Sequence, residues 1–143
     1  MGAIKKILAA LILVAAIVLI TAYFMPRNYA VEREIIIHKP VDSIFTYVRY
    51  LKNQNEFSVW ANIDPKMKLT YKGTDGSVGA LSAWESKVKE VGVGEQEITK
   101  ITEGKRLDFA LRFKEPMNDT AVGFMSTESL AADQTKVKWG ING

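Results

Sequence analysis

Four charged side chains are the first candidates for chemistry in this 143-residue sequence: Glu85, Glu95, Glu97 and Arg112. Glu95 and Glu97 are two residues apart, so on a β-strand both carboxylates project from the same face. Paired carboxylates can act as general acid and general base when their surroundings separate their pKa values. The same spacing is more common on a strand face that contacts water, so we assign no catalytic residue from this pattern.

The composition argues against several other kinds of site. The chain has no cysteine and a single histidine, His38. Thiolate chemistry and disulfides are therefore excluded, and we expect neither a metal site nor a cofactor. The glycine-rich segment 73–79 lacks the Gly-Lys-Ser/Thr ending of a phosphate loop and joins two predicted strands, so it predicts a turn.

The N-terminal segment predicts a membrane-spanning helix. Ile7–Met25 is an uninterrupted apolar run without charge, and at ~1.5 Å per residue it reaches ~28 Å, close to the ~30 Å hydrocarbon core. We expect Pro26 to end the helix. Cleavage as a signal peptide is the alternative, although bulky residues at the end of the run favour a retained anchor. The predicted domains are an anchor over residues 1–27 and a folded domain over residues 28–143.

The charge balance of the folded domain is close to neutral. The whole chain carries +3 from 19 basic and 16 acidic residues. Lys5 and Lys6 precede the apolar run, which leaves 17 basic residues in the rest of the chain. A partner made of nucleic acid is therefore not expected. The two lysines favour a cytoplasmic N-terminus with the domain outside the cytoplasm, although Arg27 lies just beyond the run and weakens this bias.

The pattern after the anchor predicts one strand, then helices, then more strands. Ile35, Ile36 and Ile37 indicate a strand that begins near Ala30. Apolar residues at helical spacing predict a helix over 41–52, and residues 53–65 predict a second short helix or an irregular turn. Six further strands follow before the end of the chain. This order predicts an α+β domain with one antiparallel sheet of about seven strands.

Several short motifs in the domain match a known fold family when they are taken together. They are Ile35-Ile36-Ile37-His38-Lys39-Pro40-Val41, Phe45 and Val48, Tyr71-Lys72-Gly73, Gly79-Ala80, Trp84, Gly94-Glu95-Gln96-Glu97-Ile98, Lys105-Arg106-Leu107-Asp108-Phe109 and Thr135-Lys136-Val137-Lys138-Trp139. With the order of elements, they resemble the START-like (SRPBCC) superfamily, in the branch named for polyketide cyclases and dehydrases. The resemblance covers residues 30–143.

The resemblance implies a helix-grip fold, in which a curved seven-stranded sheet grips a long C-terminal helix. Members of this superfamily bind lipids, sterols, polyketides or other apolar small molecules in the cavity between sheet and helix, and some catalyse cyclisation or dehydration. The present sequence lacks that long helix after its last predicted strand. We therefore expect a C-terminally incomplete sequence, and the alternative is that something else covers the sheet.

Aromatic side chains are the candidates for a ligand pocket. Ligand pockets are mostly apolar, and the resemblance implies a cavity, so we expect these residues to line it; the alternative is that they simply form the core. The set is Trp60, Tyr71, Trp84, Phe109, Phe113, Phe124 and Trp139.

Three functions remain open from the sequence. The first is a membrane-anchored binding module for a hydrophobic small molecule or lipid. The second is a cyclase- or dehydrase-like enzyme that uses Glu85, Glu97 or Arg112. The third is a protein-interaction domain that uses the uncovered sheet face, because exposed apolar patches commonly mark such contacts. Neither catalysis nor an oligomeric state is predicted.

Overall fold

A computed structural model describes residues 2–25 and 29–143 of the chain. This part contains four helices and seven strands. The elements are α1 (Gly2–Phe24), β1 (Ala30–Ile37), α2 (Val41–Val48), α3 (Leu51–Glu56), α4 (Val59–Ile63), β2 (Lys68–Lys72), β3 (Leu81–Glu85), β4 (Val93–Thr102), β5 (Arg106–Glu115), β6 (Asp119–Ala131) and β7 (Gln134–Asn142).

Helix α1 contains the predicted apolar segment. None of its residues is buried, and by length and composition it is able to cross a membrane. At ~1.5 Å per residue its 23 residues reach ~35 Å. The expected stop at Pro26 and the flanking Arg27 lie outside the described residues.

The seven strands form one curved antiparallel sheet in the order β1-β7-β6-β5-β4-β3-β2. This confirms the predicted α+β class and the number of strands. Strand β5 shows why the sheet has two unlike faces: Leu107, Phe109 and Leu111 are buried, whereas Asp108 and Ala110 between them are partly exposed. An antiparallel sheet with this alternation packs one face against the core and leaves the other in water.

Helices α2 and α3 cover part of one face, which we call the concave face; the opposite face is the convex face. The amphipathic pattern of α2 buries Ile44, Phe45 and Val48. These residues pack with side chains from five strands or their flanking turns in one core. The core comprises Ile44, Phe45, Val48, Leu51, Ala80, Ile98, Leu107, Phe109, Met125 and Val137.

The single helix predicted over residues 41–52 is wrong, because the chain breaks into two helices. Helix α2 ends at Val48, and Tyr50 has extended backbone angles. The carboxylate of Asp75, from a distant turn, accepts hydrogen bonds from the backbone amides of Leu51 (2.7 Å) and Lys52 (3.2 Å). These amides open α3 and would otherwise lack partners, so a tertiary contact starts the new helix.

Replacing Asp75 with alanine is expected to lower the free energy of unfolding by about 1 kcal/mol, as the loss of a helix cap does. Asp75→Asn is the matched control, because an amide oxygen still accepts one of the two bonds. Urea unfolding of the full chain followed by circular dichroism measures both variants. Equal stability of the alanine variant and the wild type would show that the contact with α3 is not stabilising.

The strands define two ends of the sheet. We call the end at which β1 begins the proximal end, since it follows α1 in the chain. In an antiparallel sheet of this order, β3 and β5 end there and β4 begins there: Val93 pairs with Glu85 on one side and Glu115 on the other. Helices α2 and α3 follow β1, and α2 packs on the sheet through β6 and β7.

Candidate functional site

Five of the seven predicted pocket residues share the concave face. Strand register places them there: Tyr71 pairs with Ser82, and Trp84 and Phe113 both pair with Gly94. Phe109 and Trp139 lie on the same face, because they pair with the core residues Ile98 and Met125, respectively. The five are Tyr71, Trp84, Phe109, Phe113 and Trp139.

These five residues do not have equivalent surroundings. Phe109 is 2% exposed and belongs to the core under α2 and α3. Trp139 is 38% exposed on β7. Trp84 and Phe113 are half-buried and lie outside the core. The set therefore divides between a packed core and a partly open surface.

Two predicted residues lie elsewhere. Phe124 is on the convex face, where the guanidinium of Arg106 lies 4.0 Å from its ring centroid. Its position follows from register, because it pairs with Asp108 and Gly140 of the outward-facing rows. Trp60 is on the short helix α4 and is 49% exposed.

The partly open aromatic surface lies toward the proximal end of the concave face. Trp84 and Phe113 meet edge to face with ring centroids 6.1 Å apart. Gly94 lies between them in the sheet and provides room for the indole, whose Nε1 donates to the carbonyl oxygen of Val91 (3.3 Å). Leu111 is the next residue on this face along β5. We call Trp84, Leu111 and Phe113 the proximal aromatic surface.

A row of uncharged polar side chains lies beside the proximal aromatic surface. Tyr71, Ser82 and Gln96 are neighbours across β2, β3 and β4. Helix α3 supplies their partners: Asn55 Nδ2 donates to the hydroxyl oxygens of Tyr71 (2.9 Å) and Ser82 (3.2 Å), and Gln96 Nε2 donates to Gln54 Oε1 (2.8 Å). We call these five residues the polar row.

Sequence reasoning recognised only Tyr71 of the polar row as a site residue. The period-two pattern places Ser82 and Gln96 on the face of their apolar neighbours, and that is the signal that could have found them. Asn55 and Gln54 carry no such signal, because their position depends on the break before α3.

The described surface includes two hollows, of which the first lies on the convex face. One has a volume of about 330 Å³ and is lined by Ala110, Arg112, Thr120 and Val122. The other, of about 490 Å³, lies beside Tyr29 and Asn142. Both hollows are open to solvent.

The charged candidates form an ion-pair network on the convex face. Arg112 donates through Nε to Glu95 (2.6 Å) and through Nη2 to Glu97 (2.5 Å). The bond from Arg112 lowers the pKa of Glu95, and Lys114 lowers it by a smaller amount. The bonds to Glu97 and then Glu95 raise the pKa of Arg112. Glu85 is also on this face, where it pairs with Lys68. The four candidates therefore point away from the proximal aromatic surface.

The network predicts a loss of stability in acid. The folded-state pKa of Glu95 is below its ordinary value of 4.5, so its contribution is full above that value and is lost as pH falls through the lower, folded-state pKa. Partial exposure limits the contribution to about 0.5–1 kcal/mol. Glu95→Gln should flatten the decline in unfolding free energy below pH 4.5, as urea titrations at several pH values measure. Glu90→Gln, at an exposed position, is the control; identical slopes for both variants would contradict the assignment.

Metal-binding geometry does not occur in the part of the chain that the structure describes. No group of three or more histidine, cysteine, aspartate or glutamate residues there could hold an ion. His38 lies near the distal end of β1, with Nδ1 3.3 Å from Gln134 Nε2.

Comparison with known proteins shows the fold. No family model matches the sequence, and no curated protein matches it significantly. Among solved structures, norcoclaurine synthase from Thalictrum flavum, in complex with dopamine and hydroxybenzaldehyde, is 11% identical with a TM-score of 0.62, covering 80% of this chain and 68% of that chain. Ara h 8.0201 is 13% identical with a TM-score of 0.56, covering 80% and 75%. A protein from Nitrosospira multiformis is 21% identical with a TM-score of 0.56, covering 79% and 77%.

These identities are low, so the likeness concerns architecture and not activity. CalU16 from Micromonospora echinospora has the same architecture, with a TM-score of 0.54, 10% identity and coverage of 80% of this chain and 60% of that chain. The order of strands, the helices that follow β1 and these neighbours agree: the domain has a Bet v1-like helix-grip fold.

Proposed function

We propose that this protein is a membrane-anchored binding module for a hydrophobic small molecule or lipid, in the polyketide cyclase and dehydrase-like branch of its fold group. The observation that carries the proposal is the position of the proximal aromatic surface. It lies toward the end of the sheet at which the chain arrives from an apolar helix that has no buried residue. A binding surface at that end has direct access to molecules dissolved in the bilayer.

The link between helix and sheet is short. Phe24 and Ala30 are six positions apart in the sequence, and at most ~3.5 Å per residue this allows about 20 Å. With α1 in a membrane, the start of β1 stays near the lipid headgroups. This supports a bilayer as the source of the ligand.

Helix α4 adds apolar surface at the proximal end. Ser86, just after β3, donates to the carboxylate of Asp64 (2.5 Å) and so holds the end of α4 beside the sheet. Val59, Trp60 and Ile63 on this helix are 66%, 49% and 46% exposed. Tryptophan is favoured at membrane interfaces, so we assign Trp60 to membrane contact rather than to the ligand.

The aromatic side chains of the concave face favour an apolar ligand of modest size. The norcoclaurine synthase structure holds two small molecules with aromatic rings. On this chain Tyr71, Trp84, Phe113 and Trp139 are the proposed ligand-contacting residues from the predicted set.

Catalysis of cyclisation or dehydration would need an acid or base that faces the ligand. Glu85, Glu95, Glu97 and Arg112 face away from it on the convex surface. These four side chains form ion pairs with one another or with a lysine, as expected of a stabilising surface network. A binding role therefore accounts for this set better than a catalytic role.

The proposed orientation places the N-terminus in the cytoplasm and the domain outside it, in line with Lys5 and Lys6 before the helix. Alkaline phosphatase fused after residue 143 should be active in intact cells, and green fluorescent protein at the same position should be dark. The opposite pair of results would reverse the orientation and leave ligand binding unaffected.

Extraction of the purified full chain tests the proposed function. The chain is solubilised from membranes, transferred to lipid nanodiscs and extracted, and the organic phase is compared with that of empty nanodiscs by mass spectrometry. We expect one class of apolar molecule to be enriched to near-equimolar amounts, because an apolar site of this kind is costly to leave in water.

Variants make the extraction specific. Trp84→Ala combined with Phe113→Ala should reduce the enriched molecule at least fivefold. Val122→Ala, on an exposed position of the convex face, should not change it. Absence of any enriched or exchangeable apolar molecule in the wild type would reject the proposed function.

A further inference from the structure

Two hydroxyl groups in the polar row share one donor. In the orientation of the Asn55 amide seen here, its nitrogen donates to both Tyr71 and Ser82. Each hydroxyl oxygen therefore acts as an acceptor and keeps its own proton available. Among residues 2–25 and 29–143, neither hydroxyl donates that proton to a protein acceptor.

The two hydroxyls are pre-organised on a rigid part of the fold. Tyr71 and Ser82 face each other on adjacent strands, and Ser82 is only 5% exposed. A buried or half-buried donor gains more from a partner than one in water, because few water molecules compete for it. A ligand oxygen placed on the concave face above this pair of strands could accept both protons.

The surroundings favour an acceptor over a cation. The Lys52 ammonium lies 5.4 Å from the centroid of the Tyr71 ring. Apart from the two hydroxyl residues, the polar row consists of uncharged amides. Beyond this row toward the proximal end, the next residues on the same face are Leu69 and Trp84. A matching ligand has an oxygen acceptor at one end and an apolar body that extends over Trp84.

We propose that the hydroxyls of Tyr71 and Ser82, held by Asn55, bind an acyl oxygen of the ligand, either a carboxylate or an ester carbonyl. This inference rests on the proposed function and names the chemical class that the same surface selects. Tyr71 and Ser82 act as donors, the proximal aromatic surface contacts the chain of the ligand, and Lys52 adds attraction when the oxygen is anionic.

Three probes with chains of equal length test the assignment: decanoate, methyl decanoate and decylamine. Each is titrated by calorimetry into the full chain in nanodiscs, with empty nanodiscs subtracted. Decanoate or methyl decanoate should bind at least tenfold more tightly than decylamine, which has no acyl oxygen. Tyr71→Phe and Ser82→Ala should each weaken the preferred probe about fivefold, as the loss of one hydrogen bond does, and leave decylamine unchanged.

The two acyl probes identify the source of the oxygen. Tighter binding of decanoate, reduced by Lys52→Gln, assigns a free fatty carboxylate. Tighter or equal binding of methyl decanoate, with no effect of Lys52→Gln, assigns the ester carbonyl of a lipid. Tyr50→Phe is the matched control, because Tyr50 lies outside the polar row and has an exposed ring.

Two results would overturn the inference without rejecting the proposed function. One is equal affinity for all three probes. The other is an unchanged affinity for the acyl probes in Tyr71→Phe and Ser82→Ala variants whose circular dichroism matches the wild type. By contrast, failure of every probe to bind, with no apolar molecule recovered by extraction, would reject the proposed function itself.

Discussion

Phe109→Ala is expected to lower the free energy of unfolding by about 3–5 kcal/mol, as truncation of a fully buried phenylalanine does. Phe109 is 2% exposed and packs in the core with the residues of α2, α3 and the central strands. Its removal leaves a cavity that these elements cannot close. Urea unfolding of the full chain, followed by circular dichroism, measures the loss.

Phe113→Ala is the matched comparison, two positions further along the same face of β5. Phe113 is half-buried and contacts Trp84 outside the core, so its truncation should cost about 1–2 kcal/mol. It should weaken binding of an apolar probe at least as much as Phe109→Ala does. If the two variants were equally destabilising, the division between core and proximal aromatic surface would be incorrect.

Gly94→Ala is expected to cost about 2–3 kcal/mol, in the range found for overpacked sites. A Cβ at this position would lie 2.5 Å from Trp84 Cζ2 and 2.9 Å from the carbonyl oxygen of Arg112. The indole can turn, but the backbone oxygen is fixed by the β4–β5 ladder. The variant should therefore lose stability and also shift the tryptophan emission, because Trp84 leaves its place.

Gly123→Ala is the control for this substitution, since Gly123 is also a strand glycine on the concave face. There the nearest atom to a Cβ is Leu111 Cδ1 at 3.2 Å, the end of a flexible side chain. We expect a change of less than about 1 kcal/mol and an unchanged emission spectrum. A larger effect at Gly123 than at Gly94 would contradict the packing described for Trp84.

Much of the fold could be predicted from local patterns. The alternation in β5, with Leu107, Phe109, Leu111 and Phe113 on one face, sets both the strand and its buried side, because side chains alternate with a period of two. The break near Lys39-Pro40 separates β1 from α2 for an equally local reason, since proline lacks a backbone donor.

The candidate site was predictable only in part. Tyr71, Trp84, Phe113 and Trp139 are aromatic residues on strands whose alternation places them beside apolar neighbours, and they share the concave face. Phe124 is also aromatic and sits in a strand, yet register places it on the convex face. Residue type alone does not distinguish these cases, because the face depends on how β6 is aligned with β5.

The sequence by itself determined the apolar N-terminal helix, the α+β class and the seven-stranded sheet, because each depends on the hydrophobicity and spacing of nearby residues. Only the tertiary structure decided where the helix after β1 breaks, since the carboxylate that opens α3 belongs to Asp75 in a distant turn. The break turns Asn55 toward Tyr71 and Ser82. The polar row thus depends on contacts between segments far apart in the chain, which no local pattern encodes.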